Sequence, residues 1–242
     1  MKKEQCTAIV LAAGQGKRMG MEVQKQYLEL AGKPVLAYSL EKFQESTVID
    51  SIILVVGEDQ EEYVRKEIIE PYKISKVSGI VTGGKERYHS VWNGLQLAES
   101  GYVFIHDGAR PFLDDEIIER VYREVQVHKA CVVSMPVKDT IKMADSRGFV
   151  TSTPDRNYVW LMQTPQVFET ELVKKAYEML MQAEMSNVTD DAMVVEQMLH
   201  HPIKLVQGSY ENIKITTPED LDIANALVKR KNKNLHICVD RV

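Results

Sequence analysis

A chain of 242 residues, 44% hydrophobic and 27% charged, has the composition of an ordinary folded protein, which excludes disordered, collagenous and low-complexity classes. It is long enough to bury a sizeable core and close to the size at which single cores stop growing. With 30 Lys and Arg against 35 Asp and Glu the net charge is -5, which argues against a nucleic-acid partner while leaving room for a local basic pocket that takes phosphates.

The longest apolar runs, at 9–13 and 52–56, are strand-sized and far short of the roughly 20 residues a membrane helix needs, so no membrane span is expected. The charged N-terminal residues lead into an apolar run too brief for a signal-peptide core, and a cytoplasmic location is expected. Three cysteines, Cys6, Cys131 and Cys238, are far apart and form no Cys-x-x-Cys pair. Neither a disulfide framework nor a thiolate metal site is suggested, and buried thiols, or an exposed one at Cys238, are the expectation.

Short β-branched runs predict strands at 7–12, 51–56, 78–82, 102–106, 130–136, 203–207 and 212–215. Helical stretches lie between them: Pro34 fits a first helical position ahead of Leu36, Leu40 and Phe43, and Val91, Leu95 and Ala98 share another face. The alternation is that of an α/β domain with a largely parallel sheet covered on both faces. From Val137 to Trp160 the rhythm breaks into a polar, turn-rich stretch around Ser146-Arg147-Gly148, which predicts a β-hairpin arm serving as a subunit contact or a lid. Thr217-Pro218-Glu219-Asp220 combines a capping hydroxyl, a first-turn proline and two acids, so a last helix should run from there to about Lys229. A single domain over 1–230, with the arm at 137–160, would then end in a frayed or loosely packed tail at 231–242.

The sharpest chemical signal follows the first strand, in Leu11-Ala12-Ala13-Gly14-Gln15-Gly16-Lys17-Arg18-Met19-Gly20. Glycines here let the backbone approach a phosphate closely, and Lys17 and Arg18 supply charge. The segment lacks the Ser or Thr of a Walker A loop, and Met19 occupies the third glycine position of a dinucleotide fingerprint. Lys25 lies on the same crossover, and Lys17, Arg18 and Lys25 could converge on one polyphosphate. A second loop, Thr82-Gly83-Gly84-Lys85-Glu86-Arg87, opens a helix through Ser90; it would read a base or ribose, or be a plain turn with a solvated charge cluster. His106-Asp107-Gly108-Ala109-Arg110-Pro111 delivers a carboxylate and a guanidinium at the carboxyl end of a parallel strand, where open α/β sheets bind ligands. Asp107 could hold a sugar hydroxyl or a cation and Arg110 a phosphate, a structural Asp-Arg pair being the rival reading, while His106 reads as a core histidine. Thr189-Asp190-Asp191 is explained as a helix cap, and His200-His201 lacks the neighbours of a metal site.

In order, Leu-Ala-Ala-Gly-x-Gly-x-Arg-Met at 11–19, Lys25-Gln26, Gly83-Gly84-x-x-Arg87-x-x-Ser90, His106 to Pro111, Asp139-Thr140, Asp155-Arg156, Gln163-Thr164-Pro165-Gln166, Thr189-Asp190-Asp191-Ala192 and Asn212-Ile213-Lys214 resemble the 2-C-methyl-D-erythritol 4-phosphate cytidylyltransferases. The likeness runs from about residue 7 to 228. It implies a Rossmann-like nucleotidyltransferase fold, a mostly parallel mixed sheet flanked by helices, with a protruding β-arm used in dimerisation. It also implies transfer of a cytidylyl group from CTP to methylerythritol phosphate in the non-mevalonate isoprenoid route. Arg18, Lys25 and Lys214 would be catalytic. Ala12, Ala13, Gly14, Gly16, Gly83, Ser90 and Asp107 would hold the nucleotide, and Arg110, Thr140, Arg156, Thr164 and Thr189 the alcohol phosphate. Mg²⁺ would be held mainly through CTP phosphates with no dedicated protein ligand, and Thr140 and Arg156 would reach the neighbouring site of a homodimer. Ribitol-5-phosphate cytidylyltransferase shares much of the pattern, and a nucleotide-binding protein without turnover is a further alternative. Leu11 stands where the family often has proline, and Pro154 where an aliphatic residue is usual.

Overall fold

In the computed structural model, residues 3–14, 25–99, 101–183 and 187–239 are described. In chain order the strands are β1 (Cys6–Ala12), β2 (Glu29–Leu30), β3 (Lys33–Pro34), β4 (Ser51–Val56), β5 (Val77–Thr82), β6 (Tyr102–Asp107), β7 (Ala130–Pro136), β8 (Met143–Ala144), β9 (Val150–Ser152), β10 (Trp160–Glu169) and β11 (Lys204–Gln207). The helices are α1 (Val35–Glu45), α2 (Glu61–Val64), α3 (Arg87–Leu95), α4 (Asp115–His128), α5 (Thr170–Gln182), α6 (Asp191–Leu199) and α7 (Pro218–Val239). The central sheet has the order β11-β7-β10-β6-β1-β4-β5, parallel except where β10 runs antiparallel to both β6 and β7.

Strand alternation explains why both faces are covered. Ala8 and Val10 point with Ile52, Leu54 and Phe104 toward α1 and α4, which contribute Leu36, Leu40, Phe43, Ile117 and Val121. Ile9, Ile53, Val55, Val103 and Ile105 point the other way, against Val91 and Leu95 of α3 and Val173 and Tyr177 of α5. A strand buried on both sides has no polar face to show, which is why β1 and β4 read as continuous apolar runs. A smaller cluster, Leu30, Val35, Phe112, Ile215, Ala224 and Val228, seats α7. Among the described residues no helix is long and apolar enough to cross a membrane.

Four sequence readings are corrected. The strand expected at 212–215 does not form: Asn212 is fully buried, Ile215 donates its amide to the Ala109 carbonyl, and the segment is a loop pinned across the end of β6. Its alternating polarity reflects anchoring at two buried positions, not sheet pairing. β10 went unread because Gln163-Thr164-Pro165 interrupts it; the Thr164-Pro165 bond is cis and the pairing to β7 shifts register between Met162 and Gln166. The last helix begins where its cap predicted, with Asp220 accepting the amides of Thr216 and Thr217, but continues past Lys229 to Val239. Pro34 directly precedes α1 rather than opening it, and it pairs with Glu29. Cys6 and Cys131 are buried thiols, both pushed up to about 12 by burial; the side chain of Cys238 lies outside the described residues.

The arm folds as a hairpin, β8 pairing antiparallel with β9 around Gly148 at a φ of 83°. Asp145 closes the turn by accepting the amides of Arg147 and Phe149. Met143, Phe149, Val150 and Tyr158 are exposed on it.

Candidate active site

The chain runs outward from β1 through β4 to β5 and then returns to β6 on the other side of β1, so the sheet order reverses between β1 and β6. A crevice opens at the carboxyl ends of strands at such a point. Gly108 crosses it closely: its amide donates to the Leu11 carbonyl at 2.9 Å, and a Cβ would sit 2.7 Å from Leu36 Cδ1 and 3.0 Å from the Leu11 oxygen. Only glycine fits, so Asp107 and Arg110 flank a turn held tightly against β1.

Three cations converge on the Asp107 carboxylate. Lys214 Nζ lies 2.8 Å from Oδ2, Arg110 Nε 3.7 Å from the same oxygen, and Arg87 Nε 3.4 Å from Oδ1. Burial alone would raise the Asp107 pKa, but Arg87, Lys214 and Arg110 outweigh it and hold the carboxyl well below the usual range. Burial pulls the Arg110 pKa down, although a guanidinium remains charged at neutral pH. The Lys214 side chain keeps 32% of its exposure, so it faces solvent from beside a buried acid. An anion entering here would meet more positive than negative charge.

The hydrogen bonds beneath define every proton. Burial lowers the fully buried His106 to about 4, so its ring is neutral. Nε2 lies 3.2 Å from the Arg110 carbonyl, which can only accept, so Nε2 carries the hydrogen. Nδ1 then accepts from the Thr164 hydroxyl at 3.0 Å, and Thr164 Oγ1 in turn accepts the Asp107 amide at 3.1 Å. The cis peptide at Thr164 thereby meets the turn that aims Asp107. Asn212 continues the scaffold, its side-chain amide donating to the Thr164 carbonyl at 2.9 Å while its backbone carbonyl accepts from Arg110 at 2.8 Å. Lys214, two residues on, is delivered by that anchor.

Beside this cluster lies the second loop. The Gly83 amide donates to the Val56 carbonyl at 2.7 Å, and the Gly84 amide to Ser90 Oγ at 3.0 Å. A Cβ at Gly83 would land against Ala13 Cβ and 2.8 Å from Ser90 Oγ, so the two loops pack too closely for a side chain there. Gln26, almost fully buried, donates to the Ala12 and Gly14 carbonyls at 2.6 and 3.2 Å and fixes the exit of β1. Gly83→Ala should therefore destabilise the fold by about 1–3 kcal/mol in urea unfolding, because one of the two loops must move.

Of the residues singled out in the sequence, Asp107, Arg110, Thr164 and Lys214 form one cluster, and Ala12, Ala13, Gly14, Gly83 and Ser90 its neighbour. Thr189 is exposed just before α6, its hydroxyl against Met193 Sδ. Thr140 and Arg156 are exposed on or beside the arm, Arg156 donating to the Lys138 carbonyl at 3.5 Å. Gly16, Lys17 and Arg18 lie outside the described residues, as does the Lys25 side chain; the Lys25 backbone forms a short 3-10 turn, Lys25–Tyr27. Arg87 is the main residue left without a role by sequence reasoning: it stands in the Gly83-Gly84-x-x-Arg87-x-x-Ser90 motif, in a loop readable either as a base or ribose contact or as a solvated charge cluster. Its two partners, Asp107 and Asp191, are far away in sequence and leave no local signal.

The family model described as IspD, 2-C-methyl-D-erythritol 4-phosphate cytidylyltransferase, matches residues 6–230. A protein of that description from Lachnoclostridium phytofermentans is 53% identical over 227 residues, covering 93% of this chain and 97% of its own. One from Lachnospira eligens is 52% identical, with 92% and 99% covered. Among solved structures, 4-diphosphocytidyl-2C-methyl-D-erythritol synthase from Anaerococcus prevotii superposes with a TM-score of 0.84 at 35% identity, covering 94% of this chain and 97% of that one. The 2-C-methyl-D-erythritol 4-phosphate cytidylyltransferase from Thermus thermophilus gives 0.74 at 28% identity, with 91% and 98% covered. A match over nearly the whole length, on a sheet whose switch point gathers Asp107, Arg110 and Lys214, places the chain in the 2-C-methyl-D-erythritol 4-phosphate cytidylyltransferase family.

Proposed function

We propose that the chain transfers the cytidylyl group of CTP to 2-C-methyl-D-erythritol 4-phosphate, giving 4-diphosphocytidyl-2-C-methyl-D-erythritol and pyrophosphate, as a cytoplasmic step of the non-mevalonate isoprenoid route. The observation that carries the reading is the convergence of Lys214, Arg110 and Arg87 on Asp107 at the switch point of a chain from this family. An oxygen of the acceptor phosphate attacks the α-phosphorus of CTP; the new P–O bond forms as the bond to the β-phosphate bridging oxygen breaks, and pyrophosphate leaves with the electron pair. The acceptor is already ionised at neutral pH, so no protein base or nucleophile is required. The work of the chain is to bring two polyanions together and stabilise the charge of an in-line transition state.

Lys214 suits that work because its ammonium is held by Asp107 yet reaches solvent, and it joins Arg18 and Lys25 around the phosphates. Backbone at Ala12, Ala13, Gly14, Gly16 and Gly83, with Ser90, holds the nucleotide, and Asp107 lies by the ribose and methylerythritol hydroxyls. Arg110, Thr164 and Thr189 line the acceptor side. No group of three or more His, Cys, Asp or Glu that could hold a metal occurs among the described residues, and both Asp107 oxygens already face cations. That donor set is compatible with Mg²⁺ arriving with CTP, whose phosphates rather than a protein carboxylate cluster would hold it and whose charge it would neutralise.

The chain acts as a homodimer in this reading, Thr140 and Arg156 reaching the acceptor phosphate of a second copy. The exposure of both residues and of Met143, Phe149 and Tyr158 in the arm region supports it. Arg156→Ala should raise the KM for methylerythritol phosphate about tenfold or more while leaving the KM for CTP within about twofold, since a phosphate contact of this kind contributes roughly 1.5–3 kcal/mol. Steady-state kinetics with each substrate varied in turn checks it. The function itself is tested by pyrophosphate release with CTP and Mg²⁺, comparing methylerythritol 4-phosphate and ribitol 5-phosphate. Release with the former supports the reading; release with ribitol 5-phosphate alone, or with neither, refutes it.

A further inference from the structure

Arg87 opens α3 and Asp191 opens α6, 104 residues apart in sequence. The Arg87 guanidinium donates from its two terminal nitrogens to the two oxygens of Asp191, 2.8 Å each, while its Nε faces Asp107 Oδ1 at 3.4 Å. Asp191 is fully buried and takes a further hydrogen bond of 2.6 Å from the hydroxyl of buried Tyr177. Gln166 of β10 secures the same turn, accepting the Ala192 amide at 2.9 Å and donating to Asp190 at 3.0 Å. A buried ion pair is weak grounds for expecting stability, so its placement calls for another reason. The fork joins three segments around the crevice: the nucleotide loop before α3, the end of β6, and the start of α6 next to Thr189.

We infer that Arg87 is a positioning residue for the transfer reaction, its fork to Asp191 setting the start of α6, on the acceptor side of the crevice beside Thr189, relative to the nucleotide loop and Asp107. This rests on the proposed assignment of the two sides. The nucleotide loop has supports of its own, the Gly83 and Gly84 amides and a reciprocal cap between Glu86 and His89. Asp107 and α6 are tied to α3 through the Arg87 guanidinium. Shortening that fork should therefore disturb acceptor binding while sparing CTP binding, and a misplacement of about 1 Å is enough for a large kinetic effect.

The test uses Arg87→Lys, which keeps the charge and loses the fork, Asp191→Asn, their combination, and Tyr177→Phe, which removes one hydroxyl and keeps the ion pair. Calorimetry gives the Kd of CTP with Mg²⁺ on the free enzyme, and steady-state kinetics gives kcat and the KM for methylerythritol phosphate. The inference predicts that Arg87→Lys raises the acceptor KM at least about tenfold with the CTP Kd within about threefold. It also predicts that the double variant is no worse than the more affected single one, since both break one device, and that Tyr177→Phe moves the same constant by about two- to threefold. A purely structural role would lower the unfolding midpoint with unchanged constants per folded molecule, and that result would overturn the inference, as would equal rises in both constants or single effects that multiply. Should the charge variants not fold, an unchanged acceptor KM in Tyr177→Phe would overturn it. Wild-type turnover in the same assay separates the two failures: its absence sinks the proposed reaction, and its presence with an unmoved acceptor KM sinks the role of Arg87.

Discussion

Lys214→Ala is expected to lower kcat/KM by about 10²–10³-fold, the usual result of deleting one preorganised group that stabilises transition-state charge. The structure gives the reason. Lys214 is carried on a loop anchored by buried Asn212 and by the Ile215 amide, so its backbone is fixed, and its ammonium sits 2.8 Å from Asp107 Oδ2. An ammonium held in this way meets the developing charge without reorganising. With its side chain about one-third exposed, 32%, it should contribute little to stability, and the unfolding midpoint should move by no more than a few degrees. Most of the loss should fall in kcat, because charge grows on passing to the transition state; a loss confined to KM would mean that Lys214 only binds substrate.

Asp107→Asn should give the largest stability change, a loss of about 3 kcal/mol or more at pH 7, since it strips the counterion from buried Arg110 and from Lys214. Among the described residues Arg110 Nε has no hydrogen-bond partner to fall back on. The pH dependence has a definite sign. The folded-state pKa of Asp107 lies below its unfolded value of about 3.9, so its contribution is complete above roughly pH 5 and is lost as pH falls below that value. Wild type and variant should therefore differ most at neutral pH and converge on acidification. Urea unfolding at several pH values measures this, and a gap that stays constant from pH 7 to pH 3 would contradict the ion-pair account.

The parts of the fold that could be read directly were those dictated by neighbours in sequence. β1, β4, β6 and β7 are apolar because both their faces are covered, and Thr217-Pro218-Glu219-Asp220 announces a helix start through groups within one turn of each other. Asp107 and Arg110 were legible as well, because a parallel strand delivers its next residues to the binding edge. β10 was hidden by Pro165, which normally argues against an interior strand and is tolerated here by a cis bond and a register shift. The Asn212 loop imitated a strand because anchoring at Asn212 and Ile215 produces the same alternation as pleating. Arg87, Gln26 and Gln166 stand in motifs of the family likeness, but nothing local gives them a role, since each acts on partners brought up by the tertiary fold. Sequence order placed the cations near the crevice; which of them shares a carboxylate is a property of the packed structure alone.

Phosphorus-31 NMR of the reaction mixture tests the central claim most directly. With CTP, Mg²⁺ and methylerythritol 4-phosphate, the wild-type protein should produce pyrophosphate together with the two coupled resonances of a phosphodiester-linked diphosphate, and Lys214→Ala should produce neither on the same timescale. Inorganic phosphate or CMP without the coupled pair would show hydrolysis instead of transfer. A coupled pair formed equally fast by Lys214→Ala would contradict the assignment of the chemistry to the Asp107 and Lys214 end of the sheet.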